Sequence, residues 1–134
     1  MRVNGRCHCG KITFEADVEE GTVRLCHCTD CQTLTGSAYR ANIQAPAASF
    51  VLHGDPPTVY VKTADSGTRR AHAFCPTCGT PIYSSALAQP ATYSLRVGTI
   101  AQRRELGPPQ IQVWCQSALP WSSDLGGIPA LPRQ

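Results

Sequence analysis

Apolar residues recur at every second position in short runs along this chain, and turn-forming residues cut the runs apart. In Lys11-Ile12-Thr13-Phe14-Glu15-Ala16-Asp17 the alternation puts Ile12, Phe14 and Ala16 on one face of a half-buried strand. Similar runs follow at Tyr39 to Ile43, Ser49 to Leu52, Thr58 to Lys62, Ala71 to Phe74, Thr92 to Val97 and Gln110 to Trp114. Between them lie Gly54-Asp55-Pro56-Pro57, Asp65-Ser66-Gly67 and Gly107-Pro108-Pro109, which read as turns. Only Thr29 to Leu34 has a helical character, with Thr29 or Asp30 as its N-cap. The pattern predicts an all-β domain carrying one short helical turn, with no internal repeat, heptad run or low-complexity tract.

The chain of 134 residues has the length of one hydrophobic core, so residues 1–134 are expected to form a single domain. The net charge of +3 is scattered, and only Arg69-Arg70 and Arg103-Arg104 are adjacent cations. With no basic tail or stripe to track phosphates, no nucleic-acid partner is expected. Residues Met1 to Arg6 contain no apolar run of signal-peptide type, and no stretch approaches transmembrane length. A cytoplasmic protein without a membrane partner is therefore expected.

Cysteine changes the picture most. Seven of the eight fall in three clusters: Cys7-His8-Cys9, Cys26-His27-Cys28 with Cys31, and Cys75-Pro76-Thr77-Cys78. Without an export signal, such clustering favours metal ligation over disulfides. In Cys75-Pro76-Thr77-Cys78-Gly79 the two-residue spacing lets both sulfurs reach one ion, and the glycine tolerates the bend that follows. Cys7-His8-Cys9-Gly10 offers two further thiolates with the same trailing glycine, so the two pairs together predict a four-cysteine structural zinc site. A redox dithiol would sit at a helix N-terminus in a βαβ pattern, which this sequence lacks. The spacings also match neither familiar ferredoxin run.

The middle cluster supplies only three sulfurs. Cys26, Cys28 and Cys31 can cap one face of an ion and leave a position for water or substrate, as a catalytic zinc requires. Cys31 is expected at the start of the helical turn, where amide hydrogens and the helix dipole favour a thiolate. A fourth ligand could be water, an incoming thiol or Cys115; the last is expected to be a buried spare thiol. His8 and His27 are expected to pack or bond outside the sulfur clusters. Asp30 is read as a cap, and His53 and His72 as ordinary strand residues. Tyr39, Trp114 and Trp121 are read as core aromatics, and Arg69-Arg70 as a solvated edge.

Several of these residues, taken in order, resemble a known family. Gly5-Arg6-Cys7-His8-Cys9-Gly10 with Ile12-Thr13-Phe14-Glu15, Cys26-His27-Cys28-Thr29-Asp30-Cys31, Thr35-Gly36-Ser37, Phe74-Cys75-Pro76-Thr77-Cys78-Gly79-Thr80-Pro81, Val97-Gly98-Thr99 and Pro120-Trp121 are similar to the glutathione-dependent formaldehyde-activating enzymes. These share a domain with centromere protein V and belong to the β-tent class of zinc folds. The resemblance implies an all-β zinc-binding β-sheet domain in which Cys7, Cys9, Cys75 and Cys78 hold one structural zinc. Cys26, Cys28 and Cys31 would hold a second, catalytic or exchangeable zinc. It further implies carbon–sulfur lyase-type chemistry, joining formaldehyde and glutathione to S-hydroxymethylglutathione. The expected partners are a small-molecule thiol such as glutathione and a small aldehyde, and a homodimer is compatible. The alternative is a zinc-dependent module that binds a thiol or a partner without turnover.

Overall fold

The computed structural model, which describes residues 1–134, contains ten strands and one short α-helix. They are β1 (Arg2–Arg6), β2 (Ile12–Asp17), β3 (Val23–Cys26), α1 (Thr29–Thr35), β4 (Arg40–Pro46), β5 (Val51–Gly54), β6 (Thr58–Thr63), β7 (Arg69–Phe74), β8 (Pro81–Ala86), β9 (Thr92–Arg96) and β10 (Pro109–Val113). A three-stranded sheet has the order β1-β2-β5, and a seven-stranded sheet the order β10-β3-β4-β9-β8-β7-β6. All pairings are antiparallel except β10 with β3. The all-β class with a single short helix agrees with the sequence pattern. No helix is long and apolar enough to cross a membrane.

The alternation in β2 is realised as expected, with Ile12, Phe14 and Ala16 buried. They join Val3 of β1, Ile43 and Ala45 of β4, Ile82 of β8 and Leu95 of β9 in one core shared by the two sheets. Three strands escape the apolar pattern, each for a physical reason. In β1 the inward positions are Val3 and Gly5, and Gly5 carries no side chain because a Cβ there would lie 2.2 Å from Cζ of Phe14. β3 has only four residues. β8 turns Ser84 and Ser85 inward, so burial there leaves no hydrophobic signature. The run predicted from Ser49 begins two residues later, because Ala47–Ser49 form a 3-10 turn. At the other end of the chain, Trp114 adopts a left-handed φ of 57° and ends β10 at Val113.

Register fixes what each face of the large sheet presents, since cross-strand partners share a side. Cys26 faces Arg40, Asn42 faces Arg96, Ser94 faces Ser84, and Ser84 faces His72. These side chains lie opposite to Ile43, Leu95 and Tyr83, which form the apolar face. The polar face is nonetheless covered: Arg40, Ser84, Ser94 and Arg96 are all buried.

The turn after β5 has little freedom. Gly54 has φ +82°, and a Cβ would stand 2.2 Å from the carbonyl oxygen of Lys11, which also accepts from the Asp55 amide at 2.9 Å. Gly54→Ala should therefore destabilise the zinc-loaded protein by about 3 kcal/mol. A urea midpoint matching the parent's would show that the Lys11 backbone yields without cost.

Candidate metal centres

The first centre joins the two sheets. Cys7 follows β1 in a turn closed by Gly10, and Cys75 follows β7 in a turn closed by Gly79; both glycines have positive φ. The Cys7 amide donates to the Ile12 carbonyl at 3.0 Å, and the Gly79 amide to the Cys75 carbonyl at 2.8 Å. The His8 amide donates to the Thr80 hydroxyl at 3.0 Å, locking one turn to the other. Sulfurs of Cys7, Cys9, Cys75 and Cys78 lie within 4.8 Å of one another, with Cys7–Cys9 at 3.5 Å and Cys9–Cys75 at 3.7 Å. A disulfide needs about 2.05 Å. Tetrahedral zinc with Zn–S bonds of about 2.3 Å separates its sulfurs by about 3.8 Å. The spacing thus fits the ion and excludes the covalent bond. Hydrogen bonds from the Thr80 hydroxyl and from the Cys9 and Thr80 amides bring Cys78 down to about 5, so one thiolate is ready at neutral pH.

The second centre is built where β3 passes into α1. Cys26 ends the strand, Cys28 is the N-cap and Cys31 lies in the first turn, with all three sulfurs within 4.8 Å. No fourth Cys, His, Asp or Glu joins them. The Cys31 amide donates to the Cys28 sulfur at 3.3 Å. This corrects two expectations: the cap is neither Thr29 nor Asp30, and the thiolate favoured by the helix start belongs to Cys28. Burial pushes Cys28 up, but the Cys31 amide, the Cys31 and Cys26 thiols and the charge of Lys62 outweigh it and bring it below the usual thiol value. Cys31 is pushed up to about 12, chiefly by burial and despite the opposing charge of Arg40.

Neighbouring side chains hold this turn in place. The Gln32 amide donates to the carbonyls of His27 and Ser117, at 2.8 and 2.9 Å. Lys62 of β6 pairs with Asp30 at 2.6 Å, so Asp30 anchors the helix to the sheet rather than capping it. His27 is buried outside the sulfur cluster, with Nε2 2.8 Å from Gln112 Oε1 and its ring on Tyr39. Cys115 is outside the cluster as well, but it is exposed, not buried: the left-handed Trp114 turns the chain out of β10 into the surface turn Cys115–Ser117. Trp114 and Trp121 are likewise exposed, not core, for they lie in and beyond that turn.

Between the two centres opens a cavity of about 890 Å³. Cys7 and His8 border it on one side; Thr35, Tyr39 and Arg40 border it on the other. The three clustered sulfurs do not line it, and Arg40, the cross-strand partner of Cys26, is the link between them. Arg6, Arg96 and Arg103 also contribute, against a single acid, Glu15, which Arg2 already engages at 2.7 Å. Sequence reasoning singled out none of Arg40, Arg96, Lys62, Gln32 or Gln112. The only signal for Arg40 and Arg96 was their phase, opposite to Ile43 and Leu95 along their strands.

His72 belongs to the polar face, its Nδ1 3.3 Å from Arg96 Nη2. Burial, together with the charges of Arg96, Arg40, Lys62 and Arg70, lowers it from 6.5 to about 4. Between these values the unfolded chain holds a proton there that the folded chain refuses, so stability falls as pH drops from 6.5 toward 4. His72→Gln should lose less stability than the parent across that window, measured as urea midpoint against pH. Identical slopes would mean that His72 takes up its proton equally in both states.

The model of the family described as "Glutathione-dependent formaldehyde-activating enzyme" matches residues 2–117. A protein of Halomonas elongata that provisionally bears the same enzyme name is 29% identical over 87 residues, covering 62% of this chain and 55% of its own length. The chain thus spans about half the length of that relative. A crystal structure of a Rhodobacter sphaeroides protein superposes with a TM-score of 0.62 at 23% identity, covering 81% of this chain and 98% of that one. This second likeness is one of fold.

Proposed function

The chain belongs to the glutathione-dependent formaldehyde-activating enzyme family, and from that premise we propose that it joins a thiol, glutathione or a close relative, to formaldehyde or another small aldehyde. Cys7, Cys9, Cys75 and Cys78 would hold a structural zinc, and Cys26, Cys28 and Cys31 a second one. The observation that carries this reading is the second cluster: three sulfurs within 4.8 Å, one donor short of the four a structural zinc takes, beside a cation-rich cavity. A zinc ion bound there supplies Lewis acidity that lowers the pKa of an incoming thiol.

The chain's own residues set the conditions for the reaction. The Cys31 amide helps to hold the Cys28 thiol below its ordinary value, which favours its thiolate. Lys62 and Gln32 hold the helix bearing Cys31 against the sheet and the Ser117 turn, so the three sulfurs keep their spacing. In the reaction the thiol sulfur forms a bond to the aldehyde carbon, the C=O π bond breaks, and the proton lost by sulfur ends on the new carbinol oxygen. Neither an oxidant nor a reductant is needed.

The test is exchange of ¹³C-formaldehyde with glutathione, followed by NMR with and without the zinc-loaded protein. Faster exchange that disappears after chelation is expected. An unchanged rate in the presence of the loaded protein would end the enzymatic reading, and glutathione binding without faster exchange would favour a carrier.

A further inference from the structure

Arg40 and Arg96 are 5% and 6% exposed, and none of the protein's ion pairs includes either of them. The Nε atoms of both lack any hydrogen-bond partner. Arg96 donates to Asn42 Oδ1 at 2.6 Å and stands 3.3 Å from His72 Nδ1, but both neighbours are uncharged. A buried guanidinium left without an anion is costly, and two side by side are costlier. Their mutual repulsion, added to burial, lowers Arg96 from 12.5 to about 9.

The three clustered cysteines cannot answer both charges. Three thiolates around a divalent ion carry one net negative charge, which offsets one guanidinium of the two. Both arginines are among the residues lining the cavity, the open space next to the remaining demand. Its one carboxylate, Glu15, is drawn to Arg2 at 2.7 Å, while Arg6 and Arg103 add further positive charge. Paired arginine forks suit a planar carboxylate, which two parallel hydrogen bonds can grip at a fixed angle.

We infer that Arg40 and Arg96 form a receptor for a carboxylate of the thiol substrate, making an acidic thiol the required class and these two arginines its specificity-determining residues. The inference rests on the reading of this protein as a thiol-handling enzyme. Arg40 lies across the strand from Cys26, so a thiol held by its carboxylate is anchored next to the three-sulfur cluster. Neutral thiols lack that anchor.

Calorimetric binding of S-methylglutathione to the zinc-loaded protein tests the receptor with the thiolate removed, because the capped sulfur has no proton to lose and is at most a weak ligand. The parent should bind it and should bind its diethyl ester, which lacks both carboxylates, about 30-fold more weakly or worse. Arg40→Gln and Arg96→Gln, each confirmed to keep native circular dichroism, should weaken the acid to the level of the ester and leave the ester unchanged. Arg40→Lys should retain part of the discrimination, and the exposed Arg104→Gln all of it. Equal affinity of the parent for acid and ester, or no binding of the acid at 10 mM, would overturn the receptor, and neither result requires a variant to fold. Acid-over-ester discrimination in a protein that fails to accelerate formaldehyde exchange would sink the enzymatic reading and leave the receptor standing.

Discussion

Cys75→Ser is expected to leave the chain without its native fold. Cys75 is 1% exposed, and the turn it occupies leads from β7 of the large sheet, whereas Cys7 and Cys9 follow β1 of the small sheet. The four sulfurs thus bridge the two sheets, which also meet through their apolar faces and through the His8–Thr80 hydrogen bond and the Gly5–Ile100 bridge. Zinc binding at such a site contributes about 10–16 kcal/mol of folding free energy, whereas a domain's whole net stability is about 5–15 kcal/mol. Losing one ligand removes most of the first quantity. The variant should therefore carry less than one zinc per chain, lose its β-type circular dichroism and be cleaved rapidly by trypsin, and prolonged chelation of the parent should do the same. A folded Cys75→Ser with the parent's melting temperature would mean that apolar packing and the hydrogen bonds between the sheets hold them together without the ion.

The second large effect should be local. Cys28→Ser replaces the N-cap of α1 with another good N-cap residue, so the helix should persist while a soft metal ligand is lost. The protein should remain folded, keep one zinc per chain, and lose at least about 100-fold in the rate of thiol–formaldehyde adduct formation. Cys115→Ser, at an exposed position outside the cluster, should keep both ions and the full rate. Elemental analysis paired with the exchange assay decides the matter. Loss of a zinc from Cys115→Ser would bring that cysteine into the site, and an unchanged rate in Cys28→Ser would dissociate the cluster from the chemistry.

Much of this was legible because the informative residues are close in sequence. A two-residue gap between Cys75 and Cys78 lets both sulfurs reach one ion wherever the turn sits, and the alternation of Ile12, Phe14 and Ala16 marks a buried face before any partner is known. Long-range placement was harder. β8 turns serines inward, and β1 uses a glycine where Phe14 needs the room, so neither announces a strand through hydrophobicity. Arg40 and Arg96 lie 56 positions apart and become neighbours only through the pairing of β4 with β9. The exposure of Cys115 follows from one left-handed residue, Trp114, whose conformation no local composition predicts.

The parallel pairing of β10 with β3 has a consequence for synthesis. The Val113 carbonyl accepts from the His27 amide at 3.0 Å, and the Ser117 carbonyl accepts from Gln32, so the turn carrying Cys26, Cys28 and Cys31 is braced by residues made almost ninety positions later. A nascent chain leaving the ribosome has all four sulfurs of the inter-sheet clamp once Cys78 emerges, long before that brace is available. The turn carrying the three clustered sulfurs therefore gains its full bracing only when the last strand docks.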